Sequence, residues 1–254
     1  MTTHVVSPIE FDGREIEVTG GAYQHLFRAK RLRVGEELRV VDGEGRARRG
    51  VVARVERAHG VVALGSAEPS RESELLLELW VAPPKPDRAA WLVEKATEIG
   101  ARAVRFVASA RAARDERSFG AAQLMRLHRV AIAAVEQCGR SVVPEVSGLH
   151  SVDDTLARAA RLGAAVVALD ASGPRAAPAA SALGPGIALA VLVGPEGGWT
   201  PEELVGFAER GVALWSLGPR VLRVETAALV AAALALAPHI PLTPPGAGSS
   251  IDAS

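Results

Sequence analysis

The chain has 254 residues and a mass of 26.5 kDa, is 48% hydrophobic and 23% charged, and carries 29 basic and 29 acidic side chains that cancel. That composition excludes disorder over most of the length and allows one large domain or two small ones. The longest apolar run, Ala227 to Pro238, is shorter than the roughly 20 residues of a membrane-spanning helix, and the lone Cys138 excludes an internal disulfide and a cysteine-rich zinc site. Met1-Thr2-Thr3-His4 has neither the basic nor the apolar region of a secretory signal, so a cytoplasmic location is expected, with no membrane and no metal partner.

In chain order, residues 1 to about 70 read as short strands broken by glycine: Glu15 to Val18, Glu37 to Val41, Gly50 to Val55 and Val61 to Leu64. With the turn Asp42-Gly43-Glu44-Gly45 they predict a small barrel. From Leu75 the pattern changes to strands alternating with helices. Strands are predicted at Leu75 to Val81, Ala103 to Val107, Ala164 to Leu169, Ile187 to Val193 and Val212 to Ser216. Helices are predicted at Asp87 to Ile99, stopped by Gly100, at Gly120 to Cys138, stopped by Gly139, at Pro201 to Arg210 and at Val224 to Ala237. Leu124, Leu127, Val130, Ala134 and Val135 mark the inner face of the second helix. This is an α/β pattern with a largely parallel sheet. Beyond Pro238, a run rich in Pro, Gly and Ser predicts a disordered tail over 240–254.

Zero net charge conceals asymmetry. His25 to Arg57 holds ten Arg or Lys against five acids, and Arg102 to Arg140 holds eight Arg against three. Such runs fit a solvated face or a phosphate-binding surface. Gly-x-Gly-x-x-Gly, a phosphate-loop lysine, Gly-x-Ser-x-Gly and metal-spaced histidines are all missing from the sequence, which removes the common dinucleotide, triphosphate, serine-hydrolase and zinc-protease readings. Two glycine-bearing loops remain, each where a strand ends, the position at which open α/β sheets bind ligands. The first is Gly194-Pro195-Glu196-Gly197-Gly198-Trp199, followed by a Thr200/Glu203 capping box with Pro201 at N1. Its Glu196 has either a capping task or a functional one. The second is Leu217-Gly218-Pro219-Arg220-Val221-Leu222-Arg223-Val224-Glu225. Trp80, Trp91 and Trp215 are expected in the core, and Trp199 beside a pocket.

These loops resemble the SPOUT class of S-adenosylmethionine-dependent RNA methyltransferases, and specifically the bacterial 16S ribosomal RNA uracil-N3 methyltransferase family (RsmE). The resemblance also rests on His25-Leu26-Phe27-Arg28 with Arg31 to Glu36, Lys95-Ala96-Thr97-Glu98-Ile99-Gly100, Glu116-Arg117-Ser118, and Glu136-Gln137-Cys138-Gly139-Arg140. It covers about Gly20 to Ala237. It implies a SPOUT-type trefoil-knotted α/β methyltransferase domain over 73–239, preceded by a small PUA-like β-barrel over 1–72 that binds RNA. It also implies a homodimer, with 16S ribosomal RNA, within the small ribosomal subunit, as substrate.

By motif matching, the resemblance assigns S-adenosylmethionine to Gly194, Glu196, Gly198, Leu217, Gly218 and Leu222, and RNA contact to His25, Arg28, Arg31, Arg33, Gln137 and Arg140. The implied reaction places a methyl group on N3 of a uracil, a nitrogen protonated at neutral pH, so the site must accept a proton and stabilise an anionic base. Arg117, Arg140 and Arg223 are the candidates for charge stabilisation or phosphate binding; Glu196 and Glu225 are the candidate proton acceptors. Two rivals remain at this point: a SPOUT enzyme with another RNA target, and an RNA-binding assembly protein without catalysis.

Overall fold

The computed structural model describes residues 1–111, 119–176, 180, 183, 184 and 186–239, and these form two compact units. The first comprises Met1–Glu72 together with Val135–Val143. Its sheet has five strands, β1 (Thr2–Val5), β2 (Glu15–Thr19), β3 (Glu37–Val41), β4 (Ala47–Val55) and β5 (His59–Glu68), in the order β1-β3-β4-β5-β2. Only the β1–β3 pair is parallel. Two register shifts between β4 and β5, at Arg48/Gly50 and Val52/Arg54, curl the sheet around Ile16, Val18, Leu26, Phe27, Leu38 and Val62. A side chain at Gly60 would overlap the Phe27 ring, so glycine there is what lets the ring lie against the strand.

The expected strands are present, with additions. β1, α1 (Pro8–Phe11), α2 (Gly20–Tyr23) and the π-helical turn Gln24–Ala29 were absent from the sequence prediction. The start of α1 was legible, since Ser7 and Glu10 form a reciprocal capping box with Pro8 in the first turn. The predicted turn at Asp42 is an anion-centred loop: the Asp42 carboxylate accepts from the backbone N–H groups of Glu44 (2.9 Å), Gly45 (3.1 Å) and Arg46 (2.9 Å). Burial pushes that carboxyl up, and these bonds with the Arg46 guanidinium outweigh it and hold it below the usual value.

The second unit comprises Ser73–Ala134 and the described residues from Pro144 onward. Its six strands, β6 (Leu76–Val81), β7 (Ala103–Ala108), β8 (Glu145–Ser151), β9 (Ala165–Leu169), β10 (Ala188–Val193) and β11 (Ala213–Trp215), are all parallel, in the order β11-β9-β10-β6-β7-β8. β6 and β10 are nearly continuous apolar runs at the centre, as a sheet covered on both faces requires. The helices are α3 (Pro86–Ile99), α4 (Ala121–Cys138), whose last turn from Val135 counts with the first unit, α5 (Val152–Leu162), α6 (Pro201–Glu209) and α7 (Val224–Leu236). α7 packs on α3, β6 and β10 through buried Ala228, Ala231, Ala232 and Ala235, whose short side chains permit close approach. Gly100 ends α3 at φ 118°, a left-handed stop.

β8 and α5 were missed, and two tryptophan assignments change. Trp91 is 45% exposed on α3 and is no core residue, because its position falls on the solvent side of that helix. Trp199 is buried, its ring edge-on to Phe207 at 5.0 Å. Trp215 is buried and also walls a cavity, which the sequence had assigned to Trp199. The predicted tail, 240–254, lies outside the described residues. No helix among the described residues is long and apolar enough to cross a membrane.

One ion pair staples the two segments of the first unit. Glu72 Oε2 accepts from Arg140 Nε (2.9 Å) and Nη2 (2.6 Å), and Oε1 from the Ser141 and Val142 N–H groups (2.9 and 3.2 Å). Burial raises the Glu72 carboxyl, but the Arg140 charge and these four bonds prevail and hold it below the usual value. A carboxyl lowered in the folded state stabilises fully above the unfolded value of about 4.3, and that stability is lost as pH falls towards the folded value. Glu72→Gln, which takes the carboxylate charge away from buried Arg140, is expected to cost about 1–3 kcal/mol at pH 7. The difference from the parent protein should narrow between pH 5 and pH 3. Urea unfolding followed by hydrogen exchange of the β3 and β4 amides measures both; equal stabilities at pH 7 would contradict the account.

Candidate functional site

The site is built from three neighbouring strand ends. β10 delivers Val193 into the loop Gly194 to Thr200, where the Gly198 N–H donates to the Pro195 carbonyl at 2.8 Å and Gly198 takes φ 68°. A Cβ at Gly194 would stand 2.9 Å from Trp199 Cε2, so only glycine lets the strand pass over the buried indole. Trp199 Nε1 in turn donates to the Leu169 carbonyl at the end of β9 (3.0 Å). The Thr200/Glu203 capping box forms as expected and starts α6. Glu203 also accepts from the Ala110 N–H (2.9 Å), and Arg111 Nη1 donates to the Gly197 and Trp199 carbonyls (2.7 and 3.2 Å), so the loop is fixed from outside as well.

β11 delivers Trp215 into the second loop. Its exit is tied to the segment after β9 by Asp170 N–H to the Trp215 carbonyl (2.9 Å), Ser216 N–H to the Pro174 carbonyl (2.7 Å) and Ala176 N–H to the Ser216 carbonyl (3.0 Å). Gly218 then takes φ 101°, and the place a Cβ would occupy there is open.

Between the loops lies a cavity of about 240 Å³. All six residues assigned to a cofactor, Gly194, Glu196, Gly198, Leu217, Gly218 and Leu222, line it. Leu169, Asp170 and Trp215 line it too and were missed. The signal for the first two was the end of β9, Leu169-Asp170-Ala171-Ser172-Gly173, a third glycine-bearing loop at a predicted strand end. Asp170 Oδ1 accepts from Ser172 N–H and Oγ (2.9 and 2.6 Å).

A second cavity, about 280 Å³, shares Pro195 and Glu196 with the first and is walled by Lys85, Arg88, Arg111 and Glu225. Glu225 is almost wholly buried, and Arg88 sits between the two acids, its Nε 3.5 Å from Glu225 Oε1 and its Nη1 3.9 Å from Glu196 Oε1. The structure thus brings Glu196 and Glu225 together as candidates. Arg223, the N-cap of α7, is exposed and lines neither cavity, and Arg117 lies outside the described residues. Lys85, Arg88 and Arg111 are the charged residues of this second cavity that sequence reasoning missed.

The RNA candidates belong to the first unit. His25, Arg28, Arg31 and Arg33 are exposed along the π-helical turn and the residues after it, and Gln137 is exposed near the end of α4. Arg31 is held at φ 59°, the single left-handed non-glycine among the described residues. Arg28 Nη2 donates to the Arg57 carbonyl (3.0 Å), with its guanidinium 5.5 Å from the Tyr23 ring centre. Arg140 is buried and spent on Glu72.

Comparison with known proteins converges on one family. An RNA methyltransferase domain matches residues 71–236, and an RNA methyltransferase PUA domain matches residues 18–62. Ribosomal RNA small subunit methyltransferase E of Mycobacterium bovis is 34% identical over 84% of this chain and 83% of its own length; that of Bacillus subtilis is 29% identical over 88% and 92%. Among solved structures, ribosomal RNA small subunit methyltransferase E of Neisseria gonorrhoeae, bound to S-adenosyl methionine, superposes with a TM-score of 0.79 at 27% identity, covering 92% of this chain and 95% of that one. With the glycine loops, the parallel sheet and the curled N-terminal sheet all in place, the chain belongs to the ribosomal RNA small subunit methyltransferase E family.

Proposed function

We propose that this protein is an S-adenosylmethionine-dependent methyltransferase that modifies N3 of a uridine in 16S ribosomal RNA, within the small ribosomal subunit, in the cytoplasm. The observation that carries the reading is the cavity between the two glycine loops, whose walls contain all six motif-matched residues. Its chemistry fits the cofactor. Leu217, Leu222 and Val193 offer apolar surface to a flat base, left-handed Gly198 and Gly218 present backbone groups without a Cβ in the way, and Asp170 offers a carboxylate to ribose hydroxyls. When bound, S-adenosylmethionine supplies an electrophilic methyl group on a sulfonium sulfur, which keeps the S–C electron pair and leaves as a thioether.

The chain's residues must hold the acceptor nitrogen in line and take its proton. Buried Glu225 is the acceptor we favour over Glu196, whose side chain is 64% exposed and which serves the shared wall between the cavities. Exposed Arg223 is positioned to meet RNA phosphate. His25, Arg28, Arg31, Arg33 and Gln137 supply the RNA-contacting surface of the PUA-like unit. A trefoil knot in the second unit is part of this reading, on the strength of the family resemblance alone. A homodimer is supported by Trp91 on α3 and Val230 on α7, apolar side chains left exposed on two helices that pack together.

Labelled methyl transfer to small subunits and to naked 16S RNA from cells lacking the enzyme, followed by nucleoside mass spectrometry, is expected to give 3-methyluridine; transfer to neither would overturn the assigned target. Gly194→Ala is expected to abolish cofactor binding by calorimetry, because the added methyl displaces the Trp199 indole that anchors the loop, and unchanged affinity would remove the cradle argument. For Glu225→Gln we expect turnover reduced about 10²- to 10⁴-fold with cofactor affinity retained; a variant as fast as the parent across pH 6 to 9 would exclude Glu225 as the base.

A further inference from the structure

We propose that the second cavity, between the start of α3 and the start of α7, receives the extruded target uracil, and that Arg88 stabilises the negative charge the base acquires there. The assignment rests on the reading of the chain as a uridine N3 methyltransferase and deepens it by naming the acceptor site.

Position comes first. The cavity shares Pro195 and Glu196 with the cofactor cavity, so the two meet at that loop and a base lodged in the one borders the methyl donor's site in the other. At about 280 Å³ it lies just below the roughly 300–1,000 Å³ typical of sites for drug-sized ligands, as suits a single base. A base in a folded RNA reaches such a pocket by leaving its stack.

Charge comes second. The walls carry three cations, Lys85, Arg88 and Arg111, against two acids, Glu196 and Glu225. Two long helices also begin here, and neither N-cap, Lys85 for α3 or Arg223 for α7, makes a side-chain capping bond. Their first N–H groups and dipoles add to the positive field. A cavity of this kind is suited to an occupant that becomes anionic. Uracil does so when its N3–H bond breaks: the electron pair stays on the ring, shared with both carbonyl oxygens, and the proton passes to the Glu225 carboxylate and on to solvent. The charge persists until the new N–C bond forms.

The three cations are not equivalent. Arg111 is committed to the Gly197 and Trp199 carbonyls. Lys85 is exposed at the rim, where a nucleotide phosphate would lie. Arg88 is half-buried and approaches Glu225 at 3.5 Å and Glu196 at 3.9 Å, beyond the about 2.7–2.9 Å of a charge-assisted hydrogen bond. A guanidinium held by loose ion pairs can turn its fork towards a uracil carbonyl as Glu225 takes the proton and loses its own charge.

Arg88→Gln, Arg88→Lys and Lys85→Gln decide the matter, measured on small subunits that the parent enzyme methylates and on subunits carrying 5-fluorouracil, whose N3 is more acidic. Arg88→Gln should lower kcat roughly 100-fold or more with cofactor Kd unchanged within about threefold, and the defect should shrink on the fluorinated substrate. Arg88→Lys should restore part of the rate, and Lys85→Gln should raise KM with little effect on kcat. Parent-like kcat in Arg88→Gln, an equal defect on both substrates, or a parallel loss of cofactor affinity would each overturn the assignment. Should Arg88→Gln fail to fold, the uncharged Arg88→Met takes its place in the kcat and fluorouracil comparison, with the same consequences. A parent enzyme that forms no 3-methyluridine overturns the reading beneath it and this assignment with it.

Discussion

The indole of Trp199 is the fixed point of the catalytic unit. It sits in the core against Phe207, donates to the Leu169 carbonyl at the end of β9, and fills the space where a side chain at Gly194 would stand. One ring therefore couples two strand ends and α6 through packing and a hydrogen bond, and the loop that leaves β10 cannot shift without exposing the ring or breaking the bond. The second loop depends on the same frame, because the segment following Leu169 is the one bonded to Trp215 and Ser216. A cavity lined by glycines is floppy on its own account; this one is held because its glycines are bordered by a buried aromatic ring and by backbone bonds.

The parallel sheet creates a second demand. Every strand points its C-terminal end to the same side, so the ligand cavities gather there, and polar side chains on the strands themselves must find partners. Arg105 on β7 shows how. Buried on the sheet, it donates to Glu78 (3.0 Å), Glu145 (2.6 and 2.8 Å) and Ser147 (3.1 Å), while Glu78 also accepts from Trp80 Nε1 (2.9 Å). Burial works against the Arg105 charge, yet the two carboxylates keep its guanidinium more firmly protonated than usual. The network secures β6, β7 and β8 to one another away from the cavities, leaving the strand ends to chemistry.

Much of this was legible, and what was not has physical causes. Central strands announced themselves by unbroken apolar runs, and the capped helices by Thr200 with Glu203 or by Gly100. β8 did not: as an edge strand, Glu145–Ser151 is only partly buried and includes Gly148 and His150, so no apolar pattern marks it. α5 follows it directly and was lost with it, although Ser151 caps its start and Gly163 its end. The cofactor loops were readable because each is contiguous. The second cavity was not, because Arg88, Glu196 and Glu225 come from three distant segments, and nothing in the spacing of those residues says that two helix starts and a loop share one hollow.

Charge counting has a similar limit, and it bears on how RNA would be recognised. The run His25 to Arg57 is basic by five, but the structure divides its cations into two populations. Arg39 is buried and donates to Glu68, Arg46 pairs with Asp42 and Asp12, and Arg48 spans the carbonyls of Phe11, Gly13, Leu64 and Gly65. These arginines hold the curled sheet together. Arg31 and Arg33 are exposed beside Arg28, on a turn whose backbone is fixed by the Lys30 and Leu32 N–H groups donating to the His25 and Leu26 carbonyls. A phosphate surface needs its cations on a rigid support more than it needs a large sum, since each contact releases counterions only where the geometry brings charge to phosphate. A neutral chain can therefore present a local basic edge, with the remaining arginines building the scaffold that displays it.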